Sequence, residues 1–208
     1  MKWVAAAMIL AAAVVSLVMY PQLPEVAPIH WNAAGEADGF APRLVAAAVG
    51  PGLVLFAALL LLVLPGISPR GYAIDRDSRG YRAIASVILF TLLAMHTVAM
   101  LSGAGVPVKI ETVIPFLVAA LFIVIGRYMT AMQRNFFIGI RTPWTLADED
   151  VWFRTHRLGS RLFMLGGLAL ALLPIIGVRR IEAAVLAITG IVAIIPIVYS
   201  YVIYRRSI

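Results

Sequence analysis

Three histidines and a handful of carboxylates are the side chains best able to do chemistry in this 208-residue chain. His30, Glu36 and Asp38 fall within nine residues of each other, and imidazole with carboxylate suits several divalent ions. Their spacing matches no motif with a known mechanism. A solvated, turn-rich loop therefore competes with a metal site, and the identity of any metal stays open. His96 stands inside a long apolar run near Thr91 and Thr97. An ionisable group at that depth points to function, such as a proton relay; a neutral histidine bonded to a neighbouring helix explains it equally well. His156 has no nucleophile or paired base near it in sequence, which argues against catalysis there.

A second cluster runs from Met132 to Gly159. Gly139-Ile140-Arg141-Thr142-Pro143-Trp144 packs turn formers, an arginine and an aromatic into a short corner, fit either to hold a phosphate or headgroup or to anchor two helices at the membrane surface. Thr145 and Asp148 have capping-box spacing, which predicts a helix from about Leu146 with Asp148, Glu149 and Asp150 in its first turn. On that helix Trp152, His156 and Gly159 share one face, and Arg154, Arg157 and Arg161 another. The pattern predicts an interfacial amphipathic segment entering the next apolar run.

The elements that must position these groups are apolar helices. Hydrophobic residues make up 62% of the chain and charged ones 13%, and the mean hydropathy is +0.98; soluble domains hold about 25% charged residues. A span needs about 20 apolar residues. Six runs supply them: Trp3–Tyr20, Leu44–Leu64, Ala83–Leu101, Thr112–Ala131, Gly159–Ile176 and Ala183–Tyr204. Arg127 near the end of the fourth can snorkel to the headgroups. The first run lacks a small-residue cleavage site after it and reads as a retained anchor. No Asp or Glu falls inside any run so drawn. Pro51, Pro115, Pro174 and Pro196 lie in or near spans, where neighbours can satisfy the freed backbone.

The expected fold class is therefore all-α: a polytopic membrane protein with six transmembrane helices. Of 17 lysines and arginines, 13 fall on one side of this layout and 4 on the other. The richer side is the cytoplasmic one, which puts both termini inside and predicts a cytoplasmic (inner) membrane location. The net charge of +7 is thereby a topology signal, and direct nucleic-acid binding is not expected. The chain has no cysteine, which excludes disulfides, thiolate metal sites and a cysteine nucleophile. No cofactor is called for.

The expected organisation is a two-span unit over 1–64, with an extracytoplasmic loop at 21–43, and a four-span unit over 65–208, with a cytoplasmic loop at 132–158. In the first loop Pro21, Pro24 and Pro28 favour extended backbone, and Asn32, Gly35 and Gly39 mark turns. Trp31 and Phe40 suit the headgroup level. Glu25, Glu36 and Asp38 outweigh Arg43, a weak lure for cationic peptides.

Two stretches carry a resemblance. Asn135-x-x-x-Gly139-Ile140-Arg141-Thr142-Pro143-Trp144-Thr145-Leu146, followed by Val151-Trp152-x-x-Thr155-His156-Arg157-x-Gly159, resembles the signature of the SdpI immunity family. Pro28-Ile29-His30-Trp31-Asn32-x-x-Gly35-Glu36-x-Asp38-Gly39 resembles a small domain of unknown function that often precedes it. The resemblance implies immunity to a secreted toxic peptide of the sporulation-delaying kind, and signalling by holding a cytosolic transcriptional repressor at the membrane. It brings no agreed catalytic residues, so the motif positions stand as candidate binding positions only. Two other classes remain beside it: a small multi-pass transporter or channel built around His96, and an intramembrane enzyme acting on lipid or peptide through His30, Asp38, Arg141 or His156. The missing intramembrane carboxylates count against an ion-coupled pump, and the missing acid–base and metal-ligand spacings against an enzyme.

Overall fold

The computed structural model describes residues 1–32, 34–178 and 180–206. Its helices are α1 (Lys2–Met19), α2 (Arg43–Val63), α3 (Arg79–Gly103), α4 (Ile110–Met129), α5 (Pro143–Ala147), α6 (Glu149–Ile176) and α7 (Ile181–Arg206). All but the five-residue α5 are long and apolar enough to cross a membrane. The six runs of the sequence each become one such helix, because a backbone in lipid must bond within its own segment.

A hairpin interrupts the helical order. Strands β1 (Val26–Trp31) and β2 (Ala37–Pro42) pair antiparallel between α1 and α2, with Ala27 opposite Ala41 and Pro28 opposite Phe40. The prolines and turn formers of 21–43 suggest an extended, turn-rich loop; the structure turns that extended backbone into a ribbon. A two-stranded ribbon is all edge, so Pro28 and Pro42 leave no central ladder bond unmade. Leu23 and Ala27 are buried against Ala46, Ala47 and Met100, which seats the ribbon on α2 and α3.

Two bundles make up the body. α1, α2 and α3 share one core around Ala12, Val54, Ala58, Ala85 and Leu89, and the buried Tyr81 hydroxyl donates to the Leu61 carbonyl. α4, α6 and α7 share another around Ala119, Phe122, Leu170 and Val192. α4 and α6 pack backbone to backbone. A Cβ on Gly126 would sit 2.8 Å from the Ser160 carbonyl, and one on Gly167 2.9 Å from that of Ala119. Ser160 Oγ donates to the Gly126 carbonyl at 2.7 Å across the same seam. Small residues permit this approach, and packing rather than water expulsion holds it. α3 joins the bundles by packing on α4.

The cap expected at Thr145 lies elsewhere. Thr142 is the N-cap of α5, its Oγ1 accepting from the Thr145 N–H at 3.1 Å while Thr145 Oγ1 accepts from the Thr142 N–H at 2.9 Å. Pro143 takes the first helical position, where no N–H is needed. Asp148 then caps a separate helix, accepting from the Val151 N–H at 2.9 Å. The amphipathic segment is thus the first turns of the unbroken α6, with Trp152, His156 and Gly159 buried and Arg154, Arg157 and Arg161 exposed.

Candidate functional site

The candidate residues fall at two opposite ends of the molecule. At the hairpin end, Asn32 shapes the connection between the strands. Its backbone N–H donates to the Glu36 carbonyl at 2.8 Å, its Oδ1 accepts from the N–H groups of Ala34 and Glu36, and its Nδ2 donates to the Glu36 carboxylate at 3.1 Å. Gly35 has φ +80°, the left-handed region that glycine enters without strain. His30 Nδ1 and Asp38 Oδ1 are 2.5 Å apart, both exposed. Glu36 is therefore turned toward Asn32, away from the His30–Asp38 pair. Among the described residues no group of three His, Cys, Asp or Glu is placed to hold a metal ion.

Beneath the hairpin lies a chamber of about 550 Å³, within the range of ligand pockets. Pro28, His30, Trp31, Asn32 and Gly35 line it from the ribbon; Val49, Gly50 and Leu53 from α2; Met95 and His96 from α3; Glu111 and Ile114 from α4; Glu182 and Leu186 from α7. α2 and α7 form its two flanks without touching each other, so it opens between them along the side of the bundle. Glu111 meets the hairpin tip: a Cβ on Gly35 would be 2.8 Å from its Oε2.

His96 is held at the inner wall. Ser16 Oγ donates its one proton to the Ala47 carbonyl at 2.7 Å, so it accepts from His96 Nε2, 2.9 Å away. The imidazole thereby bridges α3 to α1 and, through Ser16, to α2. The ring lies against Gly50, where any Cβ would collide with it.

At the other end the segment 132–148 folds into a tight bonded loop. Asn135 is buried; its Oδ1 accepts from the N–H groups of Phe137 and Ile138, and its Nδ2 donates to the carbonyls of Gln133 and Ile138. Trp152 Nε1 donates to the Met132 carbonyl at 3.0 Å, and its ring stacks on His156 at 3.9 Å. His156 Nε2 accepts from the Ile140 N–H at 3.1 Å, which fixes Nδ1 as the protonated nitrogen, donating to the Trp152 carbonyl at 2.8 Å. Gly139, with φ +118°, lets the chain pass over both rings.

Other motif positions close the loop against its neighbours. Thr142 Oγ1 is 3.0 Å from Ser200 Oγ of α7, and Trp144 packs on Tyr201 at 4.9 Å between ring centres. Tyr72 Oη and Arg134 both donate to the Leu146 carbonyl, bringing in the 65–78 segment. Arg141 is exposed and donates to the Phe136 carbonyl at 2.9 Å, Arg157 is exposed on α6, and Thr155 is buried, its Oγ1 without a partner among the described residues.

Sequence reasoning missed Glu111, Glu182, Ser16 and Gly50. Spans cut at charged residues stop one position short of both glutamates, while α4 and α7 begin before them. That cut is also why the runs show no acidic residue; the structure sets both carboxylates on the chamber. Ser16 and Gly50 carry no local signal, since their importance comes from a histidine far along the chain.

Six membrane-length helices, a hairpin over a chamber and a bonded loop at the opposite end define a polytopic membrane protein. The family model of the SdpI/YfhL protein family matches residues 131–200, the stretch that holds the bonded loop, α6 and most of α7. A domain of unknown function (DUF1648) matches residues 7–55, which hold most of α1, the hairpin and half of α2. The chain is 26% identical to the immunity protein SdpI of Bacillus subtilis (strain 168) over 194 residues, 92% of this chain and 89% of that one. No solved structure matches the chain.

Proposed function

We propose that this chain is an immunity protein of the cytoplasmic membrane that protects its host from a secreted toxic peptide. The similarity to an immunity protein over 92% of the chain carries the reading. The chamber under the hairpin supports it, since it gives a membrane-active peptide somewhere to be held. Both termini and the 132–148 loop face the cytoplasm in this reading, and the hairpin faces outward, in keeping with the 13-to-4 bias of Lys and Arg. The hairpin unit (1–64) is the sensing half and the four-span unit (65–208) the half that relays inward. The reading extends to a cytosolic transcriptional repressor held at the membrane by the exposed basic surface that includes Arg141 and Arg157.

Expression in a bacterium sensitive to a secreted membrane-active peptide tests this. Survival should rise with the intact chain and fall back to that of the empty host when Trp31 and Glu111 are replaced by alanine. Unchanged survival with well-expressed protein would overturn the immunity reading. In the same strain, Arg141→Ala should release the repressor from the membrane fraction with resistance intact; retention of the repressor would remove that extension alone.

A further inference from the structure

The chamber is uneven in charge. Apart from His96, its walls along α2, α3 and α7 are apolar, and the acids that reach it are Glu111 and Glu182. Among the described residues neither makes a hydrogen bond or ion pair, and none of the lysines or arginines among them lines the space. Lys109 and Arg180 are neighbours in sequence, but both are exposed and neither is part of the lining. An acidic residue in a first turn is favoured by the helix dipole, which accounts for each position along its helix. It does not account for two helices from different parts of the chain aiming their acids at one apolar space. His30, the other charged-capable group at the mouth, is already paired with Asp38.

We propose that the chamber binds an apolar peptide segment bearing one cationic group. The apolar side chains lie between α2, α3 and α7, and a lysine or arginine side chain, or a free amino terminus, sits against Glu111 and Glu182 below the hairpin tip. Entry is lateral, through the gap between α2 and α7, where Val49, Leu53 and Leu186 are exposed. Apolar walls lower the local dielectric, so two carboxylates attract a cation there more strongly than they would in water. A lone apolar chain would leave both acids facing hydrocarbon, and an anionic one would be repelled. The identification of the occupant as a peptide rests on the immunity reading; the charge rule does not.

The test uses the full-length protein in phosphatidylcholine nanodiscs, with empty discs as the baseline. The ligand is a short, end-capped leucine–alanine peptide with a central lysine and a fluorescent label, compared with versions carrying glutamine or glutamate at that place. The lysine peptide should bind about tenfold more tightly than the glutamine peptide, a difference of roughly 1.4 kcal/mol, and the glutamate peptide should not bind above baseline. The double substitution Glu111→Gln, Glu182→Gln should remove the preference while helix content and thermal unfolding stay unchanged. Leu186→Trp, which fills the chamber from an exposed position, should abolish binding of both peptides.

Equal binding of lysine and glutamine peptides, a preference that survives the double substitution, or no binding above empty discs would each overturn the proposal. If phosphatidylethanolamine in the discs displaces the lysine peptide completely, the occupant is an amine lipid, and the peptide assignment falls. Cells that resist the toxin while the purified protein shows no lysine preference sink this inference and leave the immunity reading standing. A lysine preference without resistance does the reverse.

Discussion

Gly139 shows how much one residue decides. Its φ of +118° and its approach to the His156 and Trp152 rings leave no room for a side chain. Gly139→Ala is expected to destabilise the protein by about 1–3 kcal/mol through backbone strain alone, with more lost if the Ile140–His156 bond breaks. A lowered unfolding temperature in detergent and faster proteolysis within 132–148 would show it; unchanged values would mean that the loop does not depend on this crossing. The motif around Gly139 was visible in the sequence as a cluster of turn formers, aromatics and an arginine. What was not visible is that Asn135, Thr142, Thr145, Trp152 and His156 are all occupied in bonds that hold the loop. That follows from a path through space in which Met132 and Ile140 come to lie over the same turn of α6. His96 behaves likewise: its depth was legible, but its partner Ser16 lies 80 residues away.

Helices were legible because hydropathy is a property of whole segments, and all six apolar runs became helices. Their ends were less so, since charge was used as a boundary and a helix continues through charged residues that reach water or a cavity. The start of α6 was misplaced for a related reason: two capping threonines and an aspartate stand close together, and spacing alone does not say which of them caps. The hairpin was hidden by its prolines, which disfavour interior strands but suit a ribbon with two edges. Between elements, the seam of α4 and α6 is where small residues matter most. Gly126→Leu should wedge the helices apart, since its side chain would meet the Ser160 carbonyl and Met164. Loss of the folded species in size-exclusion chromatography is expected. Leu165→Ala, on a position 63% exposed on the same helix pair, should lie within about 0.5 kcal/mol of the parent. A Gly126→Leu protein that stays monodisperse and equally stable would contradict the close-packed seam.

At the level of the whole molecule, the even number of spans puts both termini at the end that holds the 132–148 loop, with the hairpin at the other. The orientation proposed from the arginine bias is open to direct measurement, because a chain without cysteine accepts a single reporter thiol anywhere. Glu36→Cys should react with a membrane-impermeant maleimide in intact cells, and Arg157→Cys only after the cells are broken. The opposite pattern would invert the protein and with it the direction of sensing.

The open flank between α2 and α7 has a bearing on how strength of binding is to be understood. A ligand arriving through the side of the bundle comes from the bilayer, where each buried methylene has already concentrated it by about 0.8 kcal/mol. The affinity seen from the aqueous phase is then the product of two equilibria, solution to lipid and lipid to chamber. Only the second belongs to the protein. Occupancy will accordingly follow the mole fraction of ligand in the membrane, so diluting the bilayer with more lipid should empty the chamber even when the amount of peptide per volume of water is held constant.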